Sequence, residues 1–158
     1  MPSQRGFTLI EILVVVLIIS ITLGFAMLSF GDFGEKRRII TAARHFAHYI
    51  SYVRQEAMLE SSTLGVRVNQ QGYEALRLRE PNRWQSIRGV FHYQAFPTHM
   101  ILQVKQPHQV NRAPMIIIDA AGDMTPFAIS FGTTQQPQLI DVIGKIDGSI
   151  KVIAHDAK

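Results

Sequence analysis

Residues 6–30 read GFTLIEILVVVLIISITLGFAMLSF, and this stretch decides how the rest of the chain is interpreted. Its only charge is Glu11, and the 19 residues from Ile12 to Phe30 are uncharged and mostly apolar. As a helix, that run is ~28 Å long at ~1.5 Å per residue, close to the ~30 Å hydrocarbon core of a bilayer. The sequence therefore predicts a single membrane-spanning helix over Ile12 to Phe30.

A cleaved secretory signal peptide fits this segment poorly. Such a signal has an apolar region of about 7–15 residues, followed by a small-residue cleavage site. Here the apolar run is longer, no such site follows Phe30, and Gly6 comes before the run. An ordinary signal anchor fits the hydropathy but leaves Glu11 unexplained. By geometry alone, Glu11 is either a carboxylate tolerated at the membrane edge or a functional group.

The order of these features resembles the class III signal of type IV pilins and pseudopilins. A short leader with one arginine, Arg5, precedes G-F-T-L-I-E and the long apolar run. The resemblance implies that a prepilin peptidase cleaves after Gly6 and methylates the new amino terminus at Phe7. It divides this part of the chain into a leader, residues 1–6, and a helix of the membrane and filament core, residues 7–30.

The resemblance also gives Glu11 an expected role in assembly. Phe7 and Glu11 are four residues apart, so they share one helix face about 6 Å apart along the axis. The family implies that the freed amine of one subunit pairs with Glu11 of its neighbour. Paired charges can be buried together, whereas either charge alone is costly to bury.

The expected location is the inner membrane, crossed once, with the C-terminal domain in the periplasm and assembled into a pseudopilus. This orientation follows the family, whose leader lies in the cytoplasm. The charge count alone points the other way, since Lys36, Arg37 and Arg38 follow the span and only Arg5 precedes it.

After residue 30 the pattern predicts an amphipathic helix over 31–62. Its apolar positions recur every three or four residues: Ile39, Ile40, Ala43, Phe46, Ala47, Ile50, Val53, Ala57 and Met58. Arg37, Arg38, Arg44 and Arg54, with Glu56, are expected towards the opposite side of the helix. Residues 63–158 then alternate in short runs separated by turns, which predicts a β-rich domain. The fold class is α+β and pilin-like: a long N-terminal helix, with a membrane half and an amphipathic half, packed on antiparallel β-sheet.

The strand candidates are short, and the last two form a hairpin. They are Leu64–Val68, Tyr73–Arg79, Arg83–Arg88, Met100–Val104, Met115–Ile118, Phe127–Phe131, Ile140–Lys145 and Ser149–Ile153. Asp147-Gly148 between the last two is a favoured hairpin turn.

The globular part resembles one branch of the same family, the minor pseudopilin H proteins of type II secretion systems and their FimT relatives. The Trp84-Gln85 pair and residues 116–131, IIIDAAGDMTPFAISF, carry this likeness, and residues 122–131 are the most telling. The resemblance implies a structural subunit at or near the tip of a periplasmic pseudopilus that helps export folded proteins. The implied partners are other minor pseudopilins, the major pseudopilin, the prepilin peptidase and the inner-membrane assembly platform.

The alternative implied by the FimT relatives is a minor type IV pilin that binds DNA for uptake. Five arginines, at 77, 79, 83, 88 and 112, are candidates for a basic stripe beside Tyr73, Trp84 and Tyr93. A solvated strand face explains Arg77 and Arg79 equally well, because they are two residues apart. The tail, residues 149–158, has no arginine, so nucleic acid is not the expected partner.

Nothing in the sequence predicts an enzyme, a cofactor or a metal. The chain has no cysteine, which excludes disulfides and thiolate metal sites, and no catalytic or phosphate-binding motif. His45 and His48 are three residues apart but lack the context of a metal site. Asp119 and Asp123 flank Gly122, and a plain β-turn is expected there rather than a calcium loop.

Overall fold

The protein is described here from a computed structural model that covers residues 8–79, 82–105 and 114–155; for residues 26–33 it describes the backbone alone. The chain divides into two compact units, Met1–Glu35 and Lys36–Lys158. Helix α1, Leu9–Leu59, supplies all the described residues of the first unit except Thr8 and continues as the helix of the second.

Within the described residues, the second unit contains nine strands after the helix. They are β1 (Leu64–Val68), β2 (Gly72–Arg79), β3 (Arg83–Ser86), β4 (Gln94–Ala95), β5 (Ile101–Val104), β6 (Ile116–Ile118), β7 (Phe127–Gly132), β8 (Ile140–Gly144) and β9 (Ile150–Ala154). One turn of 3₁₀-helix, Gly89–Phe91, lies between β3 and β4.

The strands form two antiparallel sheets. Sheet I has the order β3-β2-β1-β6, with the short strand β4 also paired to β2, and sheet II has the order β5-β7-β8-β9. Every pairing in both sheets is antiparallel. The α+β fold predicted from the sequence is therefore confirmed. The sequence analysis predicted antiparallel β-sheet but not its division into two sheets.

The core of the second unit lies between the helix and the inner faces of both sheets. Phe46 is fully buried, and its ring meets those of Tyr73, Phe96, Phe127 and Phe131 at centroid distances of 5.1–6.2 Å. Most of these rings meet edge to face, a favourable arrangement for aromatic pairs. Phe46 of the helix thus contacts both sheets.

The predicted helical stripe is mostly buried, with one error and one omission. Ile39, Ala43 and Val53 are fully or almost fully buried, as predicted, whereas Met58 is 46% exposed. Tyr49 was not predicted as core, yet it is buried and its hydroxyl donates to the carbonyl oxygen of Phe91 at 2.9 Å. Burial raises the pKa of this phenol above its usual range.

Candidate assembly site

Helix α1 begins with a side-chain cap that involves the predicted assembly residue. The backbone N–H of Glu11 donates to Thr8 Oγ1 at 3.4 Å and to the Thr8 carbonyl at 3.1 Å. Thr8 and Glu11 have the spacing of a capping box, T-x-x-E, in which the threonine satisfies an otherwise unpaired N–H. Glu11 therefore lies in the first helical turn, where the helix dipole favours a carboxylate.

The Glu11 side chain is exposed and has no ion pair with the lysines, arginines and histidines that the structure describes. Its predicted partner is the amine of Phe7 on a neighbouring subunit. Gly6 and Phe7, the predicted cleavage and methylation positions, lie outside the described residues. The roles predicted for Gly6, Phe7 and Glu11 remain predictions.

The first turns of α1 present apolar side chains on every side. Leucine, isoleucine and valine from Leu9 to Leu23 are all exposed, and so is Phe25. The hydroxyl groups of Ser20 and Thr22 are satisfied within the helix. Ser20 Oγ donates to the Val16 carbonyl at 2.8 Å. Thr22 Oγ1 likewise donates to the Ile18 and Ile19 carbonyls at 3.0 and 2.9 Å. Such internal bonding is what an apolar surrounding requires of hydroxyl groups.

Within the described part of the chain, no helix has a stretch that is both long and apolar enough to cross a membrane. The predicted span, Ile12 to Phe30, ends in five residues whose side chains lie outside those described. The span therefore remains a prediction.

Arg54 holds two loops of the second unit against the helix, although the sequence pattern predicted it towards the side opposite the apolar stripe. Its Nε donates to the Gly122 carbonyl at 2.8 Å, and Nη2 approaches the Asp147 carbonyl at 3.5 Å. A Cβ on Gly148 would lie 2.1 Å from Arg54 Nε, so only glycine leaves room for this side chain. Gly148 also has φ of +79°, which glycine adopts without strain. The sequence pattern did not indicate these contacts of Arg54, because its partners are far away in sequence.

The loop at Asp119–Asp123 has the hydrogen bonding of an ordinary turn. Asp119 Oδ1 accepts hydrogen bonds from the backbone N–H groups of Ala121 at 2.9 Å and Asp123 at 3.0 Å. Its carboxylate is thus used by the turn itself, as expected of an aspartate at this position.

A buried carboxylate, Asp141, joins three parts of sheet II. It receives hydrogen bonds from Lys105 Nζ and Ser130 Oγ, both at 2.6 Å, and His155 Nε2 lies 3.0 Å away. Burial opposes ionisation of Asp141, but the bonds from Lys105, Ser130 and His155 together outweigh it and lower the pKa of this carboxyl. Neither the alternation nor the charge pattern had indicated this cluster.

The two histidines considered as metal ligands lie on the helix of the second unit. His45 and His48 are both exposed on α1. Among the described residues, no group of three or more histidine or acidic side chains could hold a metal ion.

Two residues of the basic stripe considered for nucleic acid, Arg77 and Tyr73, are engaged within the protein. Arg77 forms an ion pair with Glu60, and Arg67 pairs with Glu74 at 2.9 Å. Tyr73 is buried in the core and so is not a platform on which a base can stack. Arg112 lies outside the described residues.

Comparison with known proteins finds matches to the N-terminal segment and to most of the chain. Residues 1–27 match the model of the prokaryotic N-terminal methylation motif. Type II secretion system protein H of Pseudomonas aeruginosa is 28% identical over 143 residues, which cover 82% of this chain and 83% of that protein. Type II secretion system protein H of Aeromonas hydrophila is 22% identical over 154 residues, 85% of this chain and 83% of that protein.

The fold is shared with solved pseudopilin structures. The minor pseudopilin EpsH from the type 2 secretion system of Vibrio cholerae superposes with a TM-score of 0.63 at 20% identity, covering 74% of this chain and 97% of that one. The solution structure of GspH from E. coli gives 0.62 at 14% identity, covering 76% and 90%.

The chain therefore combines an N-terminal methylation motif with the α+β fold of solved minor pseudopilins. Within that class, its similarity is to the H proteins of type II secretion systems. The resemblance predicted from the leader and from residues 116–131 is confirmed.

Proposed function

We propose that this protein is a minor pseudopilin of a type II secretion system, a structural subunit of the periplasmic pseudopilus that helps to export folded proteins. The observation that carries the proposal is the joint occurrence of the methylation motif over residues 1–27 and similarity to protein H over 82% of the chain. The exposed apolar surface of α1 from Leu9 to Phe25 supports it, because such a surface needs lipid or other apolar helices around it.

The proposed mechanism is structural, not enzymatic. The peptidase removes residues 1–6 and methylates Phe7, the apolar helix anchors the subunit once in the inner membrane, and the second unit lies in the periplasm. On assembly the helix leaves lipid for the filament core, where Glu11 pairs with the amine of a neighbouring subunit. The neighbours are other minor pseudopilins and the major pseudopilin, at or near the tip, and the inner-membrane platform drives insertion.

Loss of secretion is the direct test of the proposed function. Deleting the gene in its host should leave exoproteins in the periplasm, and the wild-type chain supplied in trans should return them to the medium. Unchanged exoprotein levels in the medium of the deletion strain would contradict the proposal.

Glu11→Leu should reduce incorporation into the pseudopilus by roughly tenfold or more, because the partner amine would be buried without its counter-charge. Glu11→Asp is the matched control and should retain most of the incorporation. The readout is the ratio of subunit in the sheared filament fraction to subunit in the membrane fraction. Equal ratios for Glu11→Leu and wild type would sink the pairing role.

Processing is tested by the intact mass of the membrane-extracted protein. The expected mass lacks residues 1–6 and includes one added methyl group. A chain that retains Met1 contradicts the processing proposal, whatever the secretion assay shows.

A further inference from the structure

Strand β9 forms one edge of sheet II in the part of the chain that the structure describes. It is the last strand in the order of that sheet, and among the described strands only β8 pairs with it. Two backbone bonds fix its register: Lys145 N–H to the Ser149 carbonyl at 2.9 Å, and His155 N–H to the Leu139 carbonyl at 2.8 Å.

This register determines which backbone groups of β9 remain available. Bonded and non-bonded pairs alternate along an antiparallel ladder, so Lys151 and Ile153 bond to β8. The N–H and C=O groups of Ile150, Val152 and Ala154 therefore point away from the sheet. Six backbone groups in a row can thus accept and donate to one further strand.

The opposite edge of the same sheet, β5, is blocked at Leu102 by a side chain. Gln70 Nε2 donates to the Leu102 carbonyl at 2.7 Å, and the Leu102 N–H donates to Gln70 Oε1 at 3.1 Å. One amide thus occupies the place of a neighbouring strand, a form of edge protection that discourages unwanted pairing. Within the described residues, β9 has no equivalent cover.

The side chains of β9 also favour a partner strand. Val152 and Ile153 are 40% and 43% exposed, and the strand contains no proline and a single charge, Lys151. The carboxylate on the adjoining strand, Asp141, is already bound by Lys105 and Ser130. Lys151 therefore has no carboxylate partner among the described residues.

We propose that β9 is a docking edge that receives an extended strand of another protein. The strand runs antiparallel to β9, with apolar side chains opposite Ile150, Val152 and Ala154 and a carboxylate opposite Lys151. A second copy of this chain fits less well, because pairing centred on Val152 places Lys151 opposite Ile153 and leaves the lysine unneutralised. This inference goes beyond the proposed function and does not depend on it.

The test uses the full chain in detergent micelles and two labelled synthetic peptides, TVTVEVT and TVTVKVT. Their central valine pairs with Val152, which places glutamate or lysine opposite Lys151. We expect the glutamate peptide to bind roughly threefold to tenfold more tightly, and Lys151→Glu to reverse that order. Amide hydrogen exchange at Val152 and Ala154 should slow when the glutamate peptide binds.

A matched pair of proline variants tests whether the peptide binds at β9 and not at β5. Val152→Pro removes an outward N–H that the ladder does not use, which an edge strand tolerates, and should weaken binding roughly tenfold. Val104→Pro removes an outward N–H from β5, where the side chain is 43% exposed, and should leave binding within about twofold of wild type. If Val152→Pro fails to fold, the charge reversal at Lys151 decides the matter.

Three results would overturn the proposal. The first is the absence of binding by either peptide, and the second is binding that Val152→Pro leaves unchanged or whose charge preference Lys151→Glu does not reverse. The third is self-association in sedimentation that depends on Val152 with no peptide binding, which would make the occupant a second copy. All three are measured outside the secretion apparatus, so failure here is distinct from failure of the proposed function.

Discussion

The two halves of helix α1 use similar apolar residues in opposite ways. In the apolar half, Leu9–Phe25, every leucine, isoleucine and valine is exposed. In the packed half, Lys36–Leu59, residues such as Phe46, Ile50 and Val53 are fully buried, while Arg37, Arg44 and His48 face outward.

The difference lies in where the polar residues stand. The packed half places a polar residue on the far side of almost every turn, so only one face needs a protein partner. The apolar half has Glu11 at its start and hydroxyls that are already bonded within the helix. Its surroundings must therefore supply apolar contact on all sides, which globular packing on one face does not do.

The largest expected difference in stability is between two phenylalanine substitutions, one in each half of the helix. Phe46→Ala should lower the free energy of unfolding of the second unit by about 3–5 kcal/mol, because it leaves a cavity among four other aromatic rings. Phe25→Ala, at a side chain that is 73% exposed, should change it by less than about 0.5 kcal/mol. Denaturant unfolding of the full chain in micelles, followed by near-ultraviolet circular dichroism, measures both. Similar losses of unfolding free energy in the two variants would contradict the proposed difference between the two halves.

Much of the fold could be predicted because local patterns determine it. The run L-G-V-R-V gave β1 with its observed bounds, Leu64–Val68, and Asp147-Gly148 correctly marked the β8–β9 hairpin. Alternation tells which face of a strand is apolar but not which strand it pairs with, so the division into two sheets was not predicted. Strand β4 has two residues, too few to show a period.

The contacts that were not predicted involve side chains whose partners are distant in sequence. Arg54 bonds to residues 68 and 93 positions further along the chain, and Tyr49 to one 42 positions away. A helical pattern assigns both to a face by polarity alone, and polarity placed Arg54 towards the side opposite the apolar stripe. In the candidate assembly site, the sequence supplied Glu11 and its position at the start of the helix, while the cap from Thr8 came only from the structure.

A second comparison, within the packed half, is between Arg54, which bonds to a distant loop, and Arg44, which is exposed. Arg54→Met should destabilise the second unit by about 2 kcal/mol, because it removes a charge-assisted bond to the Gly122 carbonyl and leaves that acceptor without its donor. Arg44→Met, ten residues earlier on the exposed face, should have an effect of less than about 0.5 kcal/mol. Thermal unfolding of the two variants side by side measures the difference. Equal stabilities would mean that Arg54 is as dispensable as a surface charge.

The smallest expected effect concerns Asp141, and its sign follows from its pKa. Because the folded-state pKa lies below the ordinary value of 3.8, the carboxylate stabilises the fold at pH above that value. This contribution is lost as pH falls through the folded-state pKa and Asp141 is protonated. Asp141→Asn should lower the free energy of unfolding at pH 7 by about 1 kcal/mol and flatten its decline below about pH 4.

Asp147→Asn is the matched control for this acid effect. The pKa of Asp147 is lowered too, by hydrogen bonds from Ser149, but this carboxylate is exposed in the β8–β9 turn. Its interactions are screened by water, so the variant should follow the wild-type pH profile closely. If Asp147→Asn flattened the acid decline as much as Asp141→Asn, burial of the Lys105–Asp141–Ser130 cluster would not be the source of the pH dependence. The second unit would then owe its acid stability to general surface charge rather than to this cluster.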